Sequence, residues 1–414
     1  MRVCFLVPEL GRSGGAETIR AYARRLEERG GFDVDLVPAG ALRGKRYDVA
    51  IATWWATADH LWRVRAERRV VFLQSLESRF YEERHFFERL AAEEVLALPV
   101  AFVTVAHWIR DLLADLRPDA SCDVVLGGID KATFAPRPRP EGSGPLRILV
   151  DGQPSMWFKG VPQALASVRA MDEPSELTVV AGQPEDAGDL DGVRVVGGLA
   201  ASEMADLYAR SDVLVKLSRV ESLGLAPIEA AHVGTPCVVT PYTGHEEHVV
   251  HGRNGLVVGI DDVPGTARAL DRLARDPALR ARLAEGARET AHSWPSAGEA
   301  ADAFGAALRR IAERPAPDPE PALAALAVAH RRRLELTREH VRQAEAALQR
   351  AEGLRDWWQH AYDDARAHID GLNAAMRDLE AVVADKDRLI EDIRSERAYR
   401  AAAAVRRVLL RRRA

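Results

Sequence analysis

The chain has 414 residues, 47% of them apolar, with 57 basic against 62 acidic side chains and a formal net charge of −5. That length exceeds one ordinary core and calls for two globular domains plus an extension, while the slight acidity argues against a nucleic-acid-binding protein. Cys4, Cys122 and Cys237 stand far apart, lack metal-ligand spacing and cannot all pair, and no apolar run reaches membrane-spanning length, so a cytoplasmic protein is expected.

The opening MRVCFLVPELGRSGG holds one short apolar burst and then a turn, which reads as a buried strand at 3–7 rather than a signal peptide. Further β-branched runs stand at 34–37, 49–53, 70–73 and 102–105, with helical patterns at 16–29, 82–97 and 108–116. This alternation predicts βαβ units and a parallel sheet covered on both faces, a Rossmann-like domain over 1–140. The stretch APRPRPEGSGP (135–145) reads as a connector.

The alternation then restarts over 145–312. Strands are expected at 148–150, 177–181, 193–196, 213–217, 237–240 and 255–258, and helices at 161–170, 203–209, 226–232 and 263–275. Two doubly wound α/β domains in tandem imply a cleft, with a ligand at the carboxyl ends of the strands.

At 315–321 the chain reads PAPDPEP, which suits a stiff linker (313–321). Beyond it Leu334, Val341, Leu348, Arg355, Tyr362, Ile369, Met376, Val383 and Ile390 recur every seventh residue, and a second stripe follows three positions later from Thr337 to Ile393. The stripe predicts a helical coiled coil over 322–397 that joins copies of the chain into a homo-oligomer; one long helix folded back on the globular part is the alternative. The last twenty residues carry seven arginines against one glutamate. Residues 398–414 thus read either as a basic amphipathic end that touches an anionic membrane surface, at the inner face of the cell membrane, or as a solvated terminus.

Three stretches carry chemistry. Gly14 and Gly15 precede an amphipathic helix, where the backbone can approach an anion closely. In VDGQPSMWFKGVPQAL (150–165), Lys159 sits in the loop before a helix and can reach a phosphate as a point charge. In RVESLGLAPIEAAHVGTP (219–236), a helix is expected to begin near Ser222–Leu223. The amides of Ser222, Leu223, Gly224 and Leu225 are then orphan donors suited to a diphosphate. Glu229, inside that helix, can accept two hydrogen bonds from a ribose diol, and Glu221, in the loop, faces what lies beyond the phosphates: the sugar.

The run SRVESLGLAPIEAAHVGTPCVVT strongly resembles the E-x7-E motif of family-4 retaining glycosyltransferases, and GGAE, a GGID run before Phe134, FKG and NGLVV fall in that family's order. The resemblance spans about residues 1–312. It implies a GT-B fold, with the donor nucleotide on the C-terminal domain and the acceptor mainly on the N-terminal one. By position it implies Lys159 on the leaving diphosphate, Glu229 on the ribose, Glu221 and the 222–225 amides on the sugar and its phosphate, and Gly15 closing from the other domain. Base contacts are expected from backbone near 197–199, with Gly198 and Leu199 in the binding set.

Two departures stand out. Gln153 takes the place of a common arginine, and Gln74 that of a common histidine. The QSLExxF pattern around Gln74 resembles a rhamnosyltransferase-containing subgroup. An amide orients a hydroxyl but is no general base, so His107, after the next strand, is the alternative, set against the commoner reading of a histidine there as a plain helix-start residue. The expected catalytic set is Glu221, Lys159 and Gln74. No Asp-x-Asp motif lies in a suitable loop, so neither metal nor cofactor is expected. The favoured activity is retaining transfer from a nucleotide sugar to a glycan or lipid-linked acceptor in cell-surface polysaccharide assembly. The alternatives are another GT-B activity, such as a sugar-phosphate synthase or phosphorylase, and a non-catalytic GT-B module serving as a coiled-coil scaffold.

Overall fold

The computed structural model of the chain describes residues 1–8, 14–39, 41, 44–137, 144–182, 184, 190, 193–352 and 359–395. The first domain runs β1 (Arg2–Val7), α1 (Gly14–Glu28), β2 (Asp33–Pro38), β3 (Arg46–Ala52), α2 (Trp55–Ala58), β4 (Arg65–Leu73), α3 (Phe86–Glu94), β5 (Ala101–Thr104), α4 (His107–Leu116) and β6 (Cys122–Val124). Its strands pair in parallel in the order β2-β1-β3-β4-β5-β6. The five expected strands are present. Strand β6 was not anticipated, because three half-buried residues carry no periodicity. The helix expected over 82–97 shortens to α3 with a 3-10 turn behind it, and a further 3-10 turn forms at Glu77–Phe80.

The second domain runs β7 (Leu146–Asp151), α5 (Val161–Arg169), β8 (Ser175–Val180), β9 (Arg194–Val196), α6 (Ala201–Arg210), β10 (Val213–Lys216), α7 (Leu225–Val233), β11 (Cys237–Val239), β12 (Gly255–Val257), α8 (Val263–Arg275) and α9 (Pro277–Ser293). Its parallel order is β12-β11-β10-β7-β8-β9, so the winding reverses between β7 and β10. The register there pairs Val213 with Ile148, Leu214 with Leu149 and Val215 with Val150. One step further it brings Lys216 alongside Asp151, both at carboxyl strand ends. In such sheets the crevice at this reversal is where ligands bind.

Helix α10 (Ala297–Glu313) lies beyond α9 in sequence but packs in the first domain's core. Phe304 stacks on Phe5 at 5.9 Å and Tyr22 at 4.8 Å and meets Phe72 edge-on at 5.1 Å. Arg310 and Arg314 bind Asp123 on β6. The second core therefore closes before 297, not at 312. The chain crosses twice between domains, through 127–130 and 294–297, where the Ile129 amide donates to Pro295 O and the Ala297 amide to Ile129 O.

The tail differs from an extended coiled coil. Residues 315–318 have no regular structure, and α11 (Pro319–Glu352) begins inside the proline run, since Pro319 and Pro321 sit in a first turn that needs no amide donors. Helix α12 (Gln359–Ser395) packs back along α11 within the same chain. The expected stripe is buried in large part, with Thr337, Val341, Leu348, Ile369, Leu379, Lys386, Ile390 and Ile393 all under 9% exposed. A heptad seam is satisfied equally by a second helix of the same chain, which the repeat alone does not distinguish from another copy.

The base of this hairpin docks on the first domain. Leu323, Leu389, Ile390 and Ile393 cluster against Trp62, while Glu94 pairs with both His330 and Arg333 at 3.1 Å. Lys386 pairs with Asp59, Asp385 with Arg63, and Phe86 stacks on His340. The basic end at 398–414, Arg355 and Trp358 lie outside the described residues. Among the described residues no helix is long and apolar enough to cross a membrane.

Candidate active site

Strand β10 is buried at all four residues, and its last, Lys216, keeps a side chain only 6% exposed. An ammonium that deep must be paired. Its Nζ lies 2.8 Å from Asp151 Oδ2 and 3.2 Å from Glu221 Oε1. Lys159, on the 3-10 turn Trp157–Lys159 after β7, places its Nζ 2.8 Å from the same Glu221 Oε1, to which Ser218 Oγ also donates at 2.9 Å. Two carboxylates and two ammoniums thus alternate across the crevice between β7 and β10.

The environment sets the two glutamates apart. Burial pushes the Glu221 carboxyl up, but Lys216 and Lys159 outweigh it and bring it down to about 2. Burial followed by repulsion from Asp151 carries Glu229 up to about 7, against the pull of Tyr208 and Lys216. Tyr208 OH donates to Glu229 Oε2 at 3.3 Å from within α6, and burial drives its own ionisation well above the usual range. Such opposed tuning of neighbouring carboxyls is common where one must stay ionised while another exchanges a proton.

The helix between them begins later than expected. Helix α7 starts at Leu225 with Gly224 as its cap, because Gly224 holds φ +74°, a left-handed conformation open to glycine. A Cβ there would stand 2.7 Å from Tyr242 OH. The preceding loop is gripped by its backbone. Ser222 O accepts from Trp108 Nε1 at 2.6 Å, Leu223 O lies 2.5 Å from His248 Nε2, and the Arg219 amide donates to Phe158 O at 2.8 Å. The first amides of α7 have no acceptor within their own helix and provide the positive end of its dipole.

The expected residues are largely brought together. Glu221, Lys159, Ser222, Leu223, Gly224, Leu225 and Glu229 share this crevice, and Gln153, 8% exposed, follows Asp151 in the same loop. Gly15 and Gln74 meet on the facing domain, a Cβ on Gly15 falling 3.5 Å from the Gln74 amide. Gly14 is the first residue of α1. Gly198, at φ +66°, and half-buried Leu199 follow edge strand β9, at the same end of the sheet but two strands from β7.

His107 opens α4, the helix-start part weighed for it beside that of a base. Its backbone amide donates to Glu247 Oε1 at 2.7 Å and its Nδ1 lies 2.8 Å from Glu247 Oε2, so it ties α4 to the second domain. Three residues of the site escaped sequence reasoning: Asp151, Lys216 and Tyr208. A charged residue closing an apolar strand was the available signal, present in both LRILVD and VLVK.

Aromatic contacts join the domains beside this crevice. Phe80 packs on Phe158 at 5.1 Å and on Trp54 at 6.2 Å, and Trp157 Nε1 donates to Phe80 O at 3.1 Å. The loop bearing Lys159 is therefore seated on the QSLESRF segment of the first domain.

Residues 158–290 match the family described as Glycosyl transferases group 1. Among curated proteins, a glycogen synthase of Mycobacterium tuberculosis is 30% identical over 213 residues, 48% of this chain and 51% of the relative. A D-inositol 3-phosphate glycosyltransferase of Stackebrandtia nassauensis is 30% identical over 266 residues, 56% of this chain and 60% of the relative. The chain thus spans about half the length of the curated relatives it matches. Among solved structures, sucrose-phosphate synthase from Thermosynechococcus elongatus superposes with a TM-score of 0.64 at 17% identity, over 75% of this chain and 99% of that one. Anabaena HepE in complex with UDP-glucose gives 0.61 at 15% identity, over 75% and 100%. The crevice residues Lys159, Glu221 and Glu229 all fall inside the span that matches glycosyl transferases group 1, within a two-domain Rossmann-like fold.

Proposed function

We propose that the chain is a retaining, metal-independent glycosyltransferase of the family-4 type, moving a sugar from a nucleotide-sugar donor to a glycan or lipid-linked acceptor. The observation that carries this reading is the bracketing of the α7 start by Glu221 and Glu229 at the β7/β10 reversal, with Lys159 beside them. Glu229 accepts from the ribose diol, the first amides of α7 and the Lys159 ammonium take the diphosphate, and Glu221 accepts from the sugar hydroxyls.

A carboxyl held at about 2 is a poor base, so Glu221 serves as a hydrogen-bond acceptor rather than a proton acceptor. Front-face transfer suits this arrangement. The leaving phosphate takes the acceptor proton, and the protein supplies positioning and charge stabilisation. Gln74 on the facing domain orients an acceptor hydroxyl, and Gly15 beside it closes over the phosphates. Glycogen synthase, D-inositol 3-phosphate glycosyltransferase and the UDP-glucose complex of HepE, as relatives and fold neighbours, all concern sugar transfer or sugar nucleotides. We extend the reading to cell-surface polysaccharide assembly, which fits a polymeric or lipid-linked acceptor.

Thermal shifts with UDP-, GDP-, TDP- and ADP-glucose, repeated on Glu229→Ala and in the presence of EDTA, test the donor site. Stabilisation by one nucleotide class, lost in the variant and indifferent to EDTA, is the expected result. A folded wild-type protein that no nucleotide sugar stabilises would refute the assignment.

A further inference from the structure

Glu221 holds two ammoniums on one oxygen, and the two differ in freedom. Lys159 is 22% exposed at its side chain and sits on a loop, whereas Lys216 is 6% exposed and is the last residue of a central strand. Asp151 clamps Lys216 at 2.8 Å from the neighbouring strand. Lys159, Lys216 and Ser218 all converge on Oε1, so Oε2 takes none of these bonds. That oxygen is the acceptor available to a ligand.

A conflict follows for the donor-site reading above, on which this inference rests. If Lys159 turns to a diphosphate, it leaves Glu221, and an ionised carboxylate in a crevice needs a remaining cation. Lys216 is the group in place to stay. A lysine stem lets Lys159 swing, while the Asp151 clamp and the strand prevent Lys216 from following. We propose that Lys216, clamped by Asp151, is the positioning residue that holds the Glu221 carboxylate toward the donor sugar once Lys159 has moved onto the diphosphate.

The consequence separates two parts of one ligand. Contacts to the diphosphate run through Lys159 and α7, and contacts to the sugar run through Glu221. Loss of Lys216 must therefore weaken a sugar nucleotide more than the matching free nucleotide. A role in folding alone would affect both equally or neither.

The experiment uses the full chain and isothermal titration with UDP, GDP, TDP and ADP and their glucose conjugates. Asp151→Asn/Lys216→Met removes both charges of the clamp together, so Asp151 is not left facing an absent ammonium, and Glu221 keeps Lys159 in the unliganded protein. Expected is a folded variant that binds the free diphosphate within about threefold of wild type but its glucose conjugate about tenfold or more weakly, the loss of one hydrogen bond to a charged group. Equal losses for both ligands, or none, would overturn the proposal. If the double variant does not fold, Asp151→Asn alone is read the same way, with a smaller selective loss of about threefold expected and no selectivity refuting the clamp. Wild-type protein that binds none of the panel overturns the donor-site reading itself, and is distinguished because it requires no variant.

Discussion

Raising the pH from 6 to 8 should tighten the binding of a nucleotide sugar, and Glu229 should be the cause. Its carboxyl stands at about 7 because burial and Asp151 oppose its charge. If only the carboxylate accepts both ribose hydroxyls, roughly one molecule in eleven is competent at pH 6 and ten in eleven at pH 8, so affinity rises about tenfold, near 1.4 kcal/mol. Titration calorimetry at pH 6, 7 and 8 reads this directly. A nucleotide sugar is the right ligand, since a free diphosphate titrates its own terminal phosphate near pH ~6 and would give the same sign for another reason. Glu229→Gln should bind about ten- to a hundredfold more weakly at pH 8, the loss of a charge-assisted bond of about 1.5–3 kcal/mol, and should show a flat profile. A flat profile in wild type, or the same slope in Glu229→Gln, would refute the argument.

Other consequences are as direct. A carboxyl raised from 4.5 to about 7 contributes stability below its unfolded value and loses it as pH rises through the folded one. Glu229→Gln should therefore be more stable to heat than wild type at pH 8 without ligand, by a free energy of up to about 3 kcal/mol, with little difference near pH 4.5. Gly160→Ala should cost at least tenfold in nucleotide-sugar affinity. Its φ of +65° disfavours a side chain by about 1–2 kcal/mol, and the Cβ would fall on the Leu217 carbonyl, displacing the loop of Lys159; unchanged affinity would count against that geometry. Glu94→Ala strands Arg333, 2% exposed, and His330 against the first domain, a cost of about 3–5 kcal/mol. Hydrogen exchange should then show α11 losing protection around 323–341 while the strands keep theirs, and equal protection would mean that this pair does not hold the hairpin.

Much of this architecture was legible in the residues because parallel strands buried on both faces read as continuous apolar runs, as in VCFLV and VLVKL. The two glutamates and Lys159 were legible because glycine and a helix start next to a carboxylate form an unusual juxtaposition. Asp151 and Lys216 were not, since a charge at a strand end reads as the chain reaching water. Only the pairing of β7 with β10, remote in sequence, turns those two ends toward each other. Helix α10 was misassigned for a related reason: its apolar face, centred on Phe304, fits any core, and sequence order placed it with the second. The tail's stripe named its buried residues but not their partner.

The position of Lys216 also explains why the two glutamates diverge. Of the three carboxyls of the crevice only Glu221 touches both ammoniums, and Asp151 touches one. Glu229 receives the repulsion of Asp151 with only a weaker pull from Lys216, plus a single hydroxyl. The reversal of winding thus sets Glu221 and Glu229 apart by how strongly the paired ammoniums act on each. Lys216 stays beside Glu221 when Lys159 moves away, whereas at Glu229 a bound diphosphate adds negative charge against only the pull of Lys216 and Tyr208. Ribose hydroxyls that donate to Glu229 would do so most readily once its proton has gone. The sugar end of the site is therefore held ready in advance, and the ribose end is completed by the ligand that it binds.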